Sequence, residues 1–594
     1  MKLNEKSEQL SLFAYIFMIA CLILIVRLWQ LQILQGEKYR ELSEANRLRV
    51  IATPAPRGII FDRNGIPLVK NSSYFYASIM PDEFDLDALQ SLSGILNIPV
   101  DEMQETLKKN GVSPLAPIRL KQGLSFEEVA YIESRRSDFP GLIIEVEVGR
   151  EYIYGEVGSH LIGYLGKLTP AQAKDPSFKE VPREAFIGQW GVEKLFDTSL
   201  RGSPGTTVTE INALGRELRL LKGQQPLKGE DVTLSIDINL QKEAEKAFGE
   251  RAGALVAINP DNGELLGLIS KPSFDPNLFT RGIAHEDWVQ LSQDERNPIL
   301  NRALQSQYPP GSTFKVVTAI AGLEEGVITP DTKVDCRGGL KYGGRFFGCW
   351  RKRGHGVLSL HRAIVESCDT YFYEVGKRLG VDRIHDYAIR LGLGKETGIE
   401  LVQERKGLIP DTTWKREHKK LPWFPGETLI TAIGQGYVTT TPIQMAVMTS
   451  TIVNGGTQYK PILVKEAPPV ILGNADIDPE TLQIIKEALY GVVHDKGGTG
   501  WAAQSQLTTI GGKTGTAQIV GIKKDSHQLP EKFRDHAWFI AFAPVEKPQI
   551  ALAVFVEHGG HGGAAAAPIA KRAIEAYIKS QNKQRDLEFL APEM

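Results

Sequence analysis

The chain has little that would mark it as a nucleic-acid binder or a repeat protein. Its 69 basic and 71 acidic side chains leave a formal net charge of −2 over 594 residues, which gives no electrostatic footprint for nucleic acid. No repeat period and no low-complexity tract is present, so a solenoid is excluded. Cysteine is scarce, with four residues in all. The 42% hydrophobic and 24% charged positions are enough to bury several cores, and the length suggests more than one domain.

One long apolar run stands out. Leu10 to Val26 contains no charged residue, is followed by Arg27, and continues as Leu28-Trp29-Gln30-Leu31-Gln32-Ile33-Leu34. Seventeen residues at helical rise cover roughly 25 Å, short of the hydrocarbon thickness, so the amphipathic continuation is needed to complete a span. A cleaved signal peptide and a buried core helix are the competing readings. No small-x-small cleavage site follows the run, and Arg27 with Trp29 suits a membrane edge, so the reading is an uncleaved anchor over 10–34. Lys2 and Lys6 keep the tail 1–9 cytoplasmic, and the bulk of the chain is exported.

Beyond the anchor, alternating apolar residues in Arg57 to Leu68 flank Asn64-Gly65, a hairpin signal in which both central residues of the tight turn need positive φ. Glycines and aromatics in Arg150 to Tyr152, His160 to Tyr164 and Gly188 to Glu193 read as a compact mixed α+β region. Leu221 to Asp231 turns to Lys, Gly, Gln and Pro and reads as a linker. A second domain opens at Val232 to Asp237, followed by a helical pattern and the strand-like Gly253 to Pro260. The expected division is therefore 35–230 and 231–579, with a flexible polar tail over 580–594.

The chemistry is carried by three motifs in order. Pro310 and Gly311 break the chain before Ser312, and the apolar run Phe314 to Leu323 with Gly326 as its stop reads as a helix beginning at Ser312. Spacing of three then puts Ser312 and Lys315 on one helical face, where an amine can reach a hydroxyl and the helix N-terminus favours the negative charge formed on attack. A Ser-x-x-Lys alone occurs about two or three times by chance in such a chain. However, Ser367-Cys368-Asp369 follows 55 residues later, and Lys513-Thr514-Gly515-Thr516 another 146 residues on, between a glycine turn and a strand pattern. A Lys-Thr-Gly is expected by chance on the order of 0.1 times.

This ordered set resembles that of penicillin-binding proteins and β-lactamases. Together with Arg57-Gly58, Asp62 to Gly65, Asn301-Arg302-Ala303, Gly434-Gln435-Gly436, Thr441 to Gln444, His536 to Phe539 and Glu557 to Gly560, it resembles class B penicillin-binding proteins over essentially the whole exported chain. Ser-Cys-Asp at 367–369 points to the elongation branch, since septal relatives usually have Ser-x-Asn. Ile153, where the family commonly has proline, is a departure in the non-catalytic part.

The resemblance implies a multidomain α+β protein. Its parts would be a single N-terminal transmembrane helix, an elongated α+β pedestal of the dimerisation type, and a penicillin-binding transpeptidase domain with an antiparallel sheet flanked by helices. It also implies a peptidoglycan D,D-transpeptidase that crosslinks stem peptides through a serine acyl-enzyme during elongation and is inhibited by β-lactams. Ser312 would be the nucleophile and Lys315 the base, which must be neutral for part of the time. Ser367 would relay a proton to the leaving amine, and Asp369 would hold the lysine and substrate in register. Lys513, Thr514, Gly515 and Thr516 would receive the substrate carboxylate on a strand edge, and the N–H groups of Ser312 and Thr516 would form the oxyanion hole. No glycosyltransferase region is visible, so a membrane glycosyltransferase is the expected partner, and the inner membrane is the expected location, with the catalytic domain on its periplasmic or outer side.

With Cys21 in the apolar run, the other cysteines are spaced Cys336-x12-Cys349-x5-His355-x12-Cys368. Three thiols and an imidazole complete a tetrahedral zinc set, with Asp335 in reserve. Some relatives bind a metal in this region. A Cys336–Cys349 disulfide and unlinked thiols remain the alternatives. In an extended loop Ser367 and Asp369 would project to one side and Cys368 to the other, so the metal would be structural, clamping the loop from behind. Other functions compatible with the motifs are a β-lactamase or D,D-carboxypeptidase, and a largely non-catalytic partner or β-lactam sensor.

Overall fold

The computed structural model describes residues 2–590 apart from 54, 82–83, 86–87, 111–116, 180, 183–184, 212–216, 281 and 520–529. Lys2–Trp29 forms one helix, continued by a π-helical turn over Gln30–Leu34. The 23 residues Leu12–Leu34 reach a mean hydropathy of 2.5, and the apolar window among them contains no buried residue. At 1.5 Å per residue they cover the hydrocarbon thickness, and among the described residues no other helix is long and apolar enough to do so. The continuation past Arg27 completes the span.

The rest of the chain is not divided by a single cut. One compact unit comprises Met1–Arg57, Ser72–Gly149 and Arg201–Glu230; the other comprises Gly58–Asn71, Arg150–Leu200 and Asp231–Met594.

In the first unit, Leu48–Thr53, Gly205–Ile211 and Glu217–Gln224 form an antiparallel sheet. The segment expected as a linker from Leu221 therefore begins inside a strand, with Lys222 to Gln224 laddered on Thr206 to Val208. Its composition hid this, because ladder hydrogen bonds come from the backbone, whatever the side chains are. A separate core gathers Leu89, Leu92, Leu96 and Met103 from two helices with Ala77 and Ile79 of a strand pair.

In the second unit, Ile60–Phe61 pairs antiparallel with the strand that starts at Pro67, so the expected hairpin is present. Its turn differs. Only Gly65 has positive φ, and the Asp62 carboxylate accepts the N–H groups of Asn64 and Ile66 at 2.8 and 2.9 Å. An aspartate thus closes a longer loop in place of the two-residue turn. Arg150 is buried, donating to Glu193 at 2.7 Å and to Gly58 O at 2.6 Å, and this pairing ties 150–200 to the hairpin. Breaking such a buried pair costs about 3–5 kcal/mol.

The main sheet is antiparallel in the order Leu265–Lys271, Gly253–Ile258, Ile550–Val556, His536–Ala543, Gly511–Ala517. Its central strands are buried on both faces, so they read as continuous apolar runs. Successive residues serve different cores: Leu255, Phe539 and Ala541 face the helices Ile238–Phe248 and Ala567–Leu590, while Val256, Trp538 and Ile540 face the wholly buried helix Pro442–Val453 and the helix Lys315–Glu324. Gly511–Ala517 is left at the edge of the sheet. Of the expected tail 580–594, the part to Leu590 continues the C-terminal helix, and 591–594 lie outside the described residues.

Candidate active site

The nucleophile motif occupies a 3₁₀ turn, Gly311–Phe314, that runs into the helix Lys315–Glu324. The turn is fixed by backbone contacts too close for any side chain. Gly311 has φ +55, and a Cβ on it would lie 2.3 Å from Thr516 O; one on Gly515 would lie 2.8 Å from Pro310 O. Glycine at these positions lets the turn press directly on the sheet edge. Gly311 N–H donates to Gly434 O at 2.9 Å, and the Trp538 indole donates to Pro309 O at 3.0 Å. Just upstream, the Tyr308 hydroxyl donates to Glu557, itself held by Arg302 at 2.9 Å, and the Tyr308 ring stacks on Phe555. Ser312 is half-buried, and its hydroxyl has no hydrogen-bond partner among the described residues.

Lys315 is fully buried. Its Nζ donates to Asp369 Oδ1 at 2.6 Å, Ser367 O at 2.8 Å and Ser367 Oγ at 3.2 Å, so the first two motifs form one polar cluster. Ser367 takes a left-handed φ of +54, a conformation costing of order 1 kcal/mol or more in a non-glycine residue. Asp369 then opens the helix Asp369–Leu379, where a carboxylate suits the helix dipole. Its second oxygen accepts the Trp350 N–H at 2.9 Å.

Lys513 lies on the edge strand but points inward. It is fully buried, and its Nζ donates to Thr514 O at 3.1 Å. Burial and the adjacent Lys315 push its pKa well below the ordinary lysine range, with Asp369 acting in the other direction. On the same strand Thr514 Oγ1 pairs with Thr499 Oγ1 at 2.7 Å, and the carbonyl of the half-buried Thr516 accepts from Gln435 Nε2 at 2.9 Å.

Behind the second motif, Cys336, Cys349, His355 and Cys368 place their ligand atoms within 4.8 Å of one another, and none of the cysteines is in a disulfide. His355 Nδ1 is 3.5 Å from Cys336 Sγ and 3.6 Å from Cys349 Sγ. The N···S edge of a tetrahedron with zinc-like bond lengths of about 2.05 and 2.3 Å is about 3.6 Å, so the two His355 spacings are compatible with such an ion. A hydrogen bond from the Cys368 thiol holds Cys349 down toward the thiolate, and the same bond raises Cys368. Burial opposes ionisation of His355, but its bonds to Cys349 and Cys336 prevail and raise it. Asp335 is outside the cluster, paired with Arg337 at 2.7 Å. Cys368 faces these groups while Ser367 and Asp369 face Lys315.

A model of the penicillin-binding protein transpeptidase domain matches residues 253–575, and one of the penicillin-binding protein dimerisation domain matches 52–234. The chain belongs to the class B penicillin-binding proteins. It is 35% identical to the peptidoglycan D,D-transpeptidase MrdA of Acinetobacter baumannii, with 96% of this chain and 88% of that one covered. Among solved structures it is similar to penicillin-binding protein 2 from Helicobacter pylori in complex with MreC, at a TM-score of 0.76 and 29% identity over 89% of this chain and 98% of that one. It is also similar to a chain described under structural coordination of polymerization and crosslinking by a peptidoglycan synthase complex, at a TM-score of 0.75 and 32% identity over 96% and 98%. This class B penicillin-binding protein is most like penicillin-binding protein 2 and is a serine-type peptidoglycan D,D-transpeptidase.

Two contributors to the site were missed in the sequence. Trp350, adjacent to Cys349, supplies the amide that holds Asp369, and Thr499 pairs with Thr514. A backbone donor leaves no trace in residue type. Thr499, in the Gly-Gly-Thr-Gly run that ends at Gly500, carried only a turn signal.

Proposed function

We propose that Ser312 attacks the carbonyl between the two terminal D-alanines of a stem peptide, and that Lys315 takes its proton. The observation that supports this most is the single buried amine touching Ser367 and Asp369 of the second motif. Its three protons face three oxygens, so Lys315 accepts from Ser312 only after passing one on, and Asp369 and Ser367 are both within 3.2 Å. Ser367 then carries a proton to the leaving D-alanine amine. Thr514 and Thr516 receive the substrate carboxylate, with Lys513 supplying positive potential from behind Thr514 and Gly515. The N–H groups of Ser312 and Thr516 stabilise the oxyanion, each worth about 3 kcal/mol in comparable sites. An amine from a neighbouring strand finally releases the acyl group and forms the crosslink.

The same reading extends outward. The apolar helix anchors the protein in the inner membrane, with Lys2 and Lys6 cytoplasmic and the catalytic unit outside. Its work is wall elongation beside a membrane glycosyltransferase, in line with the MreC and synthase complexes of its relatives. Cys336, Cys349, His355 and Cys368 hold one structural zinc; four protein ligands leave no open position for substrate.

The test is intact-mass measurement of the full-length protein with a penicillin. One covalent adduct is expected, lost in Ser312→Ala. An adduct that survives the substitution refutes the assignment.

A further inference from the structure

Between Lys333 and Arg353 the chain carries seven cationic side chains and one carboxylate, Asp335, in a protein whose net charge is −2. All seven cations are exposed. Arg337 pairs with Asp335 and Arg351 with Glu366, at 2.7 and 3.0 Å, and the other five have no anionic partner among the described residues. Such crowding of like charge is unfavourable unless something neutralises it. Aromatic rings stand in the same stretch with much of their surface in solvent: Phe346 is 61% exposed and Trp350 58%.

The location ties this surface to the chemistry. Trp350 gives its N–H to Asp369, and its indole donates to Ser367 O at 3.1 Å. Tyr373 donates to Gly348 O at 3.1 Å, fixing the base of the hairpin Gly339–Tyr342 and Arg345–Gly348. Arg351, Lys352 and Arg353 therefore start one residue from a group that holds the catalytic loop.

We propose that this exposed basic hairpin and the loop Trp350 to Arg353 that follows it bind a polymeric peptidoglycan strand through the carboxylates of its stem peptides and the faces of its sugar rings. The inference rests on the D,D-transpeptidase reading, in which two strands must meet at the acyl-enzyme. Stem peptides end in carboxylates, which suit the unpaired cations. Sugar rings present C–H faces, which pack on exposed aromatic rings.

The test compares full-length protein in detergent with the triple variant Arg345→Glu, Lys352→Glu, Arg353→Glu, whose three side chains form no ion pair among the described residues. A control makes the same charge change at the exposed Lys547, Lys579 and Lys583. Binding is read by co-sedimentation with purified peptidoglycan, and folding with Ser312 competence by labelling with fluorescent penicillin. The triple variant should bind peptidoglycan about tenfold more weakly at low salt, with labelling retained and the control unchanged. Wild-type binding should weaken as salt rises, and it should fall on glycan stripped of its peptides by an amidase. Unchanged sedimentation of the triple variant, salt-insensitive binding of the wild type, or equal binding to stripped glycan each overturns the proposal. If the triple variant loses labelling, the salt series and the stripped glycan decide on the wild type alone. Failure of the wild type to label would instead overturn the transpeptidase reading.

Discussion

Replacing Lys513 by methionine should make the protein more stable and nearly inactive at once. The amine is fully buried beside Lys315, and among the described residues its one hydrogen bond is to Thr514 O. Burial comes first among the causes that push its pKa down, and the Lys315 charge second. Methionine fills a similar volume and removes both penalties. Exchanging buried charged groups for packed apolar ones gains about 1–4 kcal/mol in known cases, and losing the bond to Thr514 offsets about 1 kcal/mol of it. The expected net gain is therefore about 1–3 kcal/mol, a rise of a few degrees in apparent Tm.

The pH dependence identifies the cause. A lysine whose folded pKa lies below its unfolded value of about 10.4 binds fewer protons in the fold, so wild-type stability rises with pH between those two values. The variant lacks this contribution. Its advantage should be greatest at and below the folded pKa of Lys513 and should shrink as pH climbs toward that of an unfolded lysine. Acylation, in contrast, should fall by about 100-fold, the scale of losing one preorganised electrostatic contact in an acyl-transfer site. Calorimetry over a pH series and intact-mass acylation rates measure the two effects. A variant less stable than wild type, or an advantage that grows with pH, would refute the reasoning.

Lys315→Ala should slow acylation even at saturating β-lactam, because it removes the proton acceptor and leaves Asp369 without its cation; restoration of the normal rate at saturation would exclude Lys315 as the base. Protein purified without chelator should contain one zinc, released on acidification as thiolates and imidazole take up protons, and lost in Cys368→Ser. Chelation should lower the apparent Tm and slow acylation together, because Cys349 adjoins the Trp350 amide on Asp369. Metal-free protein with a Cys336–Cys349 bond in its peptide map would favour the disulfide instead.

What could be read from the sequence follows from physical range. The apolar N-terminal helix and the helix after Ser312 are local patterns of hydrophobicity and glycine, and both are present; the third pattern is displaced, because Gly511 and Gly512 lie inside the strand Gly511–Ala517 and form no turn before it. The order of Ser312, Ser367 and Lys513 identified the chemistry before any distance was known. The strand Glu217–Gln224 was hidden by polar composition, and the hairpin turn was set by the Asp62 side chain, which the Asn-Gly pattern does not include. The direction of Lys513 was also invisible. Strand alternation tells that neighbours diverge, but not which face lies against Lys315.

Asp369 shows how a residue can be legible in identity and opaque in role. From sequence alone, aspartate in place of the asparagine usual in septal relatives left its function open. Here both carboxylate oxygens are used, one by the Lys315 ammonium at 2.6 Å and the other by the Trp350 N–H at 2.9 Å. An asparagine has a single acceptor oxygen and would turn its amide N–H groups toward one of these two donors. It would therefore either lose the lysine or lose the loop that carries Cys349. The aspartate supplies the countercharge for two lysines buried in one site, and it links the catalytic amine to the segment that holds the thiol and imidazole cluster. On that account the aspartate at 369 and the cysteine at 349 belong to one device: the carboxylate is needed because the Cys349 loop ends on it.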